Sequence, residues 1–131
     1  MPTLDQKRAA MAWDHGATIS ALDDEKKKKY ASIVYSVPML VRSAGLAQAL
    51  HFVQARGDDT QKLMLVHLAA QLHRVNGSIT DAMSLLKTVR GANLGEYLQL
   101  TQETLSCANW YKRYVQGVLN ISASEGRDGA R

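Results

Sequence analysis

Apolar residues in the second quarter of the chain recur at intervals of three and four positions, the spacing of one face of an α-helix. The residues of this stripe are Tyr30, Ile33, Val34, Val37, Leu40, Val41 and Ala44. The stripe continues through Pro38, although an interior proline removes a backbone hydrogen bond and usually bends a helix. The spacing predicts a helix over residues 24–43 that is kinked at Pro38, or two segments that share one buried face.

Further helices are predicted along the rest of the chain, separated by glycines and capping residues. Alternating β-branched runs are absent and there are only two prolines. The other predicted helices span residues 3–14, 46–56, 58–77, 78–89 and 94–119, with Gly16, Gly45 and Gly57 at their boundaries. We therefore predict an all-α, single-domain bundle of about six helices over residues 1–120. The small, polar residues 121–131 are predicted to form a disordered tail.

Composition indicates the cellular location that we expect for the protein and the charge of the partner that it binds. No apolar run approaches the roughly 20 residues that span a bilayer, and the N-terminal residues have no apolar segment typical of a secretory signal. The single Cys107 cannot form an internal disulfide. We therefore expect a cytoplasmic protein with no membrane partner. The formal net charge of +4 favours an anionic partner.

The last long helix contains an unusual stretch, NWYKRYVQG, at residues 109–117. On a helical projection the apolar arc holds Leu94, Tyr97, Leu98, Thr101, Leu105, Ala108, Tyr111, Val115 and Leu119. Trp110 and Tyr114 fall on the opposite side, and Arg113 neighbours Trp110. Either the helix lies between neighbouring helices and Trp110 belongs to the core, or the aromatic residues are exposed anchors of an interface, where Trp, Tyr and Arg are enriched.

A second basic feature is the run Lys26, Lys27, Lys28 and Lys29, which follows three acidic residues at a helix start. It is either a solvated face with local acid–lysine pairs or a surface that binds phosphates. Lys28 and Arg42 lie on the outer side of the same helix, about 20 Å apart along its axis. Such a pair could follow a nucleic-acid backbone.

The sequence shows no constellation typical of catalysis. The histidines have no ligand spacing among themselves, and one cysteine supplies no zinc site. Neither a glycine-rich phosphate loop nor a nucleophile elbow is present. His67, Gln71 and Arg74 share a helix face, which we interpret as an ordinary polar surface, and Cys107 is expected to be a packing residue. We predict a protein that is not an enzyme and has no metal or cofactor.

Three segments resemble a known family, the small helical subunit of the type III-B CRISPR effector, or Cmr complex. They are KRAAMAW near the N-terminus, YSVPMLVRSAGLAQALHFVQARG in the middle and YLQLTQETLSCANWYKRYVQGVL near the end. The family pattern is matched at Arg8-Ala9, Pro38, Gly45-Leu46, Gln48, Leu50, Phe52, Thr101, Glu103, Trp110, Lys112 and Arg113. Residues 58–90 correspond only loosely.

The resemblance implies an all-helical, non-catalytic protein that stacks head to tail with copies of itself into the minor filament of an RNA-guided antiviral complex. Its implied partners are the backbone filament subunit, the large subunit, and guide and target RNA bound without sequence specificity. The residues expected to bind RNA or partners are Arg8, Lys26, Lys27, Lys28, Lys29, Arg42, Lys112 and Arg113. Trp110 and Tyr114 are expected at a protein interface.

Two other kinds of protein fit a basic helical chain. A small DNA-binding regulator would use a short helix to read the major groove, but the candidate faces contain Gln48, His51 and Gln71 with few cations. A scaffold that binds only protein would bind nucleic acid no more strongly than its net charge dictates.

Overall fold

The computed structural model describes residues 1–125, and this part of the chain is helical without strands. Its main elements are α1 (Leu4–Ser20), α2 (Asp24–Ala44), α3 (Leu46–Arg56), α4 (Asp59–Leu72), α5 (Ala82–Gly91) and α6 (Leu94–Gly117). A short helical turn follows at residues 123–125. The predicted all-α, single-domain bundle is confirmed.

Side chains that accept hydrogen bonds from the first turn mark where most of the helices begin. The capping residues are Thr3, Asp23, Asp58, Asp81 and Asn93. Thr3 and Asp58 each form a reciprocal capping box with a glutamine three positions later, which satisfies two backbone groups at once. The fifth helix begins at Ala82 rather than at residue 78, because Asp81 caps it and forms a capping box with Ser84.

Helix α2 runs without interruption through Pro38, which is buried. The alternative of two separate segments therefore does not apply. The helix ends at Gly45, whose φ of +91° lies in a region that residues with a side chain rarely adopt. This turn lets α3 begin at once.

Gly16 does not end α1, contrary to the sequence prediction, and the helix continues to Ser20. The aromatic ring of Tyr114 in α6 occupies the space where a side chain at position 16 would lie. Gly16 thus permits a close approach of α1 and α6. In the sequence alone, a glycine with this role looks the same as one that ends a helix.

The long helix α6 packs between α1 and α2. It runs parallel to α1, since Arg8 pairs with Glu103 and Ser20 with Tyr114. The other side of the bundle consists of α3 and α5 against α4, and the buried aliphatic residues of all these helices form one core.

The packed domain extends slightly beyond α6. Ile121 is buried, its carbonyl accepts a hydrogen bond from the Tyr35 hydroxyl (2.7 Å), and its N–H donates to the Val115 carbonyl (3.1 Å). The prediction that disorder begins at residue 121 is therefore wrong for Ile121. Residues 126–131 of the predicted tail lie outside the described part of the chain.

Candidate nucleic-acid and protein interface

Tyr114 is not the exposed anchor that the helical projection indicated. Its side chain is only 6% exposed, its hydroxyl lies 2.6 Å from Oγ of Ser20, and its ring meets Trp13 edge to face at 5.1 Å. Helix α1 covers the side of α6 that the projection assigned to solvent. For Tyr114 the core interpretation is therefore the right one.

Trp110 lies at the margin of the same contact. It is half-buried, its indole N–H donates to Oδ1 of Asp5 at 2.9 Å, and its ring lies 6.3 Å from that of Trp13. Trp13 is 40% exposed and Arg113 is exposed beside this pair. We call Trp13, Trp110 and Arg113 the tryptophan patch. The sequence did not indicate a role for Trp13, because Trp13 lies on α1, far from Trp110 in the chain. Only the packing of α1 against α6 brings the two rings together.

The buried face of α6 is rotated relative to the predicted arc. Ala108, Tyr111 and Val115 are buried as expected, but Leu94 and Leu98 are 74% and 58% exposed. The residues buried in this half of the helix are Leu100, Glu103, Thr104 and Cys107. Glu103 bonds to Arg8 of α1, whereas the Thr104 hydroxyl donates to the Leu100 carbonyl and the Cys107 thiol donates to Glu103 within α6 itself.

Arg8, expected to bind RNA or a partner, is instead committed to an ion pair inside the fold. Its Nε and one Nη each donate to a different carboxylate oxygen of Glu103, both at 2.7 Å. The other Nη lies 3.3 Å from Asp5. The Arg8 side chain is only 15% exposed, and the hydrogen bond with Glu103 raises the pKa of Arg8. This geometry leaves the guanidinium little freedom to bind phosphate.

Three side chains donate hydrogen bonds to Glu103. They are Arg8 of α1, Arg74 just after α4, and Cys107 of α6 itself. Besides Arg8, Glu103 accepts from Nη2 of Arg74 at 3.4 Å and from the thiol of Cys107 at 3.3 Å. The bond from Arg8 lowers the pKa of Glu103. Burial, reinforced by the Glu103 carboxylate, raises the pKa of Cys107 to about 12. Cys107 is buried, as expected of a packing residue.

The rings of His15, His67 and Tyr111 form a stack between α1, α4 and α6, and Tyr30 meets His67 edge to face. The rings of His15 and His67 are nearly parallel and 4.2 Å apart. Nδ1 of His67 shares a 2.6 Å hydrogen bond with the Tyr30 hydroxyl, and Nδ1 of His15 shares one of the same length with Tyr111. Burial, followed by the neighbouring His15, lowers the pKa of His67 to about 3. Burial also raises the pKa of Tyr30 well above its ordinary value.

His67 and Gln71, interpreted with Arg74 as an ordinary polar surface, are buried, and Arg74 is half-buried. Gln71 is fully buried, and its amide nitrogen lies 3.0 Å from the Arg8 carbonyl and 3.2 Å from the Tyr111 hydroxyl. Its oxygen accepts from Arg74 at 2.7 Å. These bonds join α1, α4 and α6 and satisfy polar groups that would otherwise be costly to bury. We regard the assembly as a packing network.

The remaining predicted basic residues differ in exposure. Lys26, Lys28, Arg42 and Arg113 are exposed, while Lys27, Lys29 and Lys112 are half-buried. Lys27 lies 3.9 Å from Asp24. The exposed members remain available to an anionic partner, and their contact with RNA stays a prediction.

A basic surface that the sequence reasoning did not recognise lies on α3 and α5. We call it the α3–α5 face; its residues are Gln48, His51, Phe52 and Arg56 from α3 and Met83, Lys87 and Arg90 from α5. Side chains from the two helices meet here: Nη1 of Arg90 lies 3.4 Å from Nε2 of His51, and the Gln54 amide lies 3.6 Å from the Met83 sulfur. The cations are far apart in sequence, so no local run revealed them.

Within residues 1–125, no group of three or more His, Cys, Asp or Glu side chains is arranged to hold a metal ion. The same part of the chain has no helix with the length and apolar character needed to cross a bilayer.

Comparison with known proteins places this arrangement in a family. Residues 4–118 match the family model described as CRISPR-associated protein (Cas_Cmr5). The CRISPR system Cmr subunit Cmr5 of Thermus thermophilus is 37% identical over 99 residues, which cover 76% of this chain and 82% of that protein. The crystal structure of a CRISPR-associated Cmr5 family protein from the same organism aligns with a TM-score of 0.78 at 34% identity, covering 91% of this chain and 99% of that one.

The fold and its surfaces define a small, single-domain helical protein with an internally bonded polar network and cations on its outer helix faces. The chain belongs to the Cmr5 family of CRISPR-associated proteins. The family resemblance noted in the sequence is confirmed.

Proposed function

We propose that this chain is the small, non-catalytic subunit of a type III-B Cmr effector complex, where it stacks into the minor filament and helps to hold the guide–target RNA duplex. The observation that supports this most directly is family membership across residues 4–118, together with the name of its Thermus relative as a Cmr subunit. In this proposal the cleavage and signalling chemistry belong to other subunits.

Head-to-tail stacking requires two unlike surfaces on each subunit, because only a heterologous contact generates an open array. Helix α6 presents two such surfaces. Leu94 and Leu98 are exposed near its start, and the tryptophan patch lies about 18 Å further along its axis. One surface is aliphatic and the other is aromatic and cationic, which supports a filament contact between the two.

Holding an RNA duplex requires positive charge that recognises phosphates and shape, since base pairing between guide and target supplies sequence specificity. Exposed cations on several outer helix faces meet this requirement. We expect weak binding of RNA without sequence preference, and a steep decrease in affinity with salt because bound counterions are released. A mobility-shift titration in which binding is tight, salt-insensitive or sequence-selective would contradict this part of the proposal.

Leu98→Asp tests the filament surface. Leu98 is exposed, so the variant should keep its circular dichroism spectrum and melting temperature while its incorporation into a complex reconstituted with the other Cmr subunits decreases. Gln99→Asp introduces the same carboxylate at an exposed neighbouring position and should assemble normally. Normal assembly of Leu98→Asp would remove the start of α6 from the interface.

The tryptophan patch has its own test. Trp110 is only half-buried, and truncating an interface anchor typically costs more than ~2 kcal/mol of binding. Trp110→Ala should therefore reduce incorporation into the complex while lowering the melting temperature by only a few degrees. A variant that unfolds, or that melts many degrees lower, would show that Trp110 serves the fold. Charge reversal of Arg113 should impair assembly or RNA loading without loss of helicity.

The non-catalytic role is tested by incubating the purified protein with RNA, DNA and nucleotides, with and without divalent metal. We expect no hydrolysis. Turnover that co-elutes with the protein and disappears when His67 or His73 is replaced would contradict the proposal.

A further inference from the structure

We infer that the α3–α5 face binds single-stranded RNA, with its cations on phosphates and Phe52 against a base. This inference rests on the proposed function, since it takes RNA as the partner, and adds the surface and the form of RNA that it would bind. The juxtaposition behind it is that of an exposed aromatic ring and three exposed cations on two adjacent helices.

Charge distinguishes this face from the lysine run of α2. The four lysines at positions 26–29 follow Asp23, Asp24 and Glu25, so an approaching phosphate meets carboxylates as well as ammonium groups. Helices α3 and α5 contain no acidic residue. Opposed charge within about 10 Å cancels much of the attraction at physiological salt. The α3–α5 face therefore has the stronger local positive potential.

Carboxylates do lie at the margins of the face. Asp58 and Asp81 cap the helices that begin there, and each accepts a hydrogen bond from a backbone N–H at 2.8 Å. Glu96 of α6 lines the same surface cleft as Lys87 and accepts a bond from Asn76. The centre of the face, around His51, Phe52 and Arg90, has no such neighbour on its own two helices.

The aromatic component indicates a single strand rather than a duplex. Phe52 is 45% exposed, and the guanidinium carbon of Arg56 lies 5.8 Å from the centre of its ring. Aromatic rings and guanidinium planes are the surfaces on which proteins stack unpaired bases. Paired bases inside an RNA duplex cannot reach such a surface. A surface that contacted only the phosphates of a duplex would need cations but not an exposed phenylalanine.

The test measures binding of a labelled, uridine-rich single strand to the full chain over a range of salt concentrations. The variant Arg56→Gln, Lys87→Gln, Arg90→Gln should lower the affinity at least about tenfold at low salt. It should also reduce the slope of log affinity against log salt by about 2, since each lost phosphate contact with a single strand contributes about 0.7.

The control replaces Lys7 of α1 and Lys62 of α4 by glutamine and so removes two positive charges from positions that belong to none of the surfaces expected to bind RNA. It should change the slope by less than about 1. Phe52→Leu should lower the affinity for the single strand about fivefold, the lower end for one lost base–aromatic stack, and leave the affinity for a duplex of equal length unchanged. Circular dichroism shows whether each variant is folded.

The possible failures are distinguishable. If the unaltered chain binds no RNA, the RNA-holding part of the proposed function fails, and this inference fails with it. If the chain binds RNA but the control variant loses as much affinity as the α3–α5 variant, RNA binding stands and the assignment to this face is overturned. If the α3–α5 variant binds RNA normally but no longer assembles with the other subunits, the face contacts an acidic protein surface and the inference is wrong.

Discussion

Replacing Gly16 by alanine tests whether the contact between α1 and α6 depends on the absence of a side chain at this position. An alanine Cβ would lie less than 3.0 Å from three ring atoms of Tyr114, whereas carbon atoms pack at about 3.5–4.0 Å. The ring has little room to move, because it is buried, meets Trp13 edge to face and is hydrogen-bonded to Ser20 through its hydroxyl.

Two opposing effects set the magnitude. Alanine is favoured over glycine within a helix by about 1 kcal/mol. Over-packing costs about 1–3 kcal/mol, and displacing the ring adds about 1 kcal/mol for its hydrogen bond and about 0.5–1.5 kcal/mol for its contact with Trp13. After the helix preference is subtracted, these terms give a net loss of about 1.5–4.5 kcal/mol. For a domain of this size that lowers the melting temperature by roughly 5–16 °C.

Urea unfolding followed by circular dichroism measures the effect, and a second background identifies its cause. Once Tyr114→Ala has removed the ring, adding Gly16→Ala should become neutral or stabilising by up to ~1 kcal/mol, because only the helix preference remains. Gly117→Ala, where no atom lies within 4 Å of an added Cβ, should not destabilise. Equal destabilisation by Gly16→Ala in both backgrounds would refute the reasoning.

Three further predictions concern the polar interior. Folding lowers the pKa of His67 from 6.5 to about 3. The free energy of unfolding is therefore at its full value above pH ~6.5 and decreases on acidification, by about 2 kcal/mol at pH ~5. His67→Asn, which keeps a hydrogen-bond acceptor for Tyr30, should show a flatter dependence of stability on pH in the same urea titrations. Glu103→Gln weakens bonds to charged partners and should cost about 2–3 kcal/mol of unfolding free energy, whereas unchanged stability would show that the Arg8 pair contributes nothing. Cys107, buried and with its pKa raised to about 12, should react with thiol reagents only at the rate of unfolding; rapid labelling of the native protein would contradict its burial.

The positions of the helices follow closely from local sequence. Helix α2 begins at residue 24 as predicted, α4 begins one residue after the predicted start, and α3 has the predicted bounds. The apolar stripe of α2 is buried from Tyr30 to Val41 except for the half-buried Leu40. Caps and stripes act within one or two turns, so residues a few positions apart contain the information. The family resemblance also rested on local segments.

The role of Gly16 and the orientation of α6 did not follow from local sequence. A glycine that ends a helix and one that admits a neighbouring ring differ only in what lies across from them. Similarly, the helical projection placed Leu98 inside and Tyr114 outside, whereas Leu98 is exposed and Tyr114 is buried. Gly16 and Tyr114 face each other across α1 and α6, so the residue that decides the role of each lies on a helix at the other end of the chain.

The polar interior shows the physical reason for this division most clearly. His67, Gln71 and Glu103 are polar residues of the kind that usually face solvent, where water would make their hydrogen bonds. They are buried because Tyr30, Tyr111 and Arg8, on other helices, supply the hydrogen bonds that water would otherwise make. Burying a polar group is tolerated only when such a partner is present. Helix formation depends on neighbours in sequence, but the choice of buried face depends on partners that only the folded chain brings together.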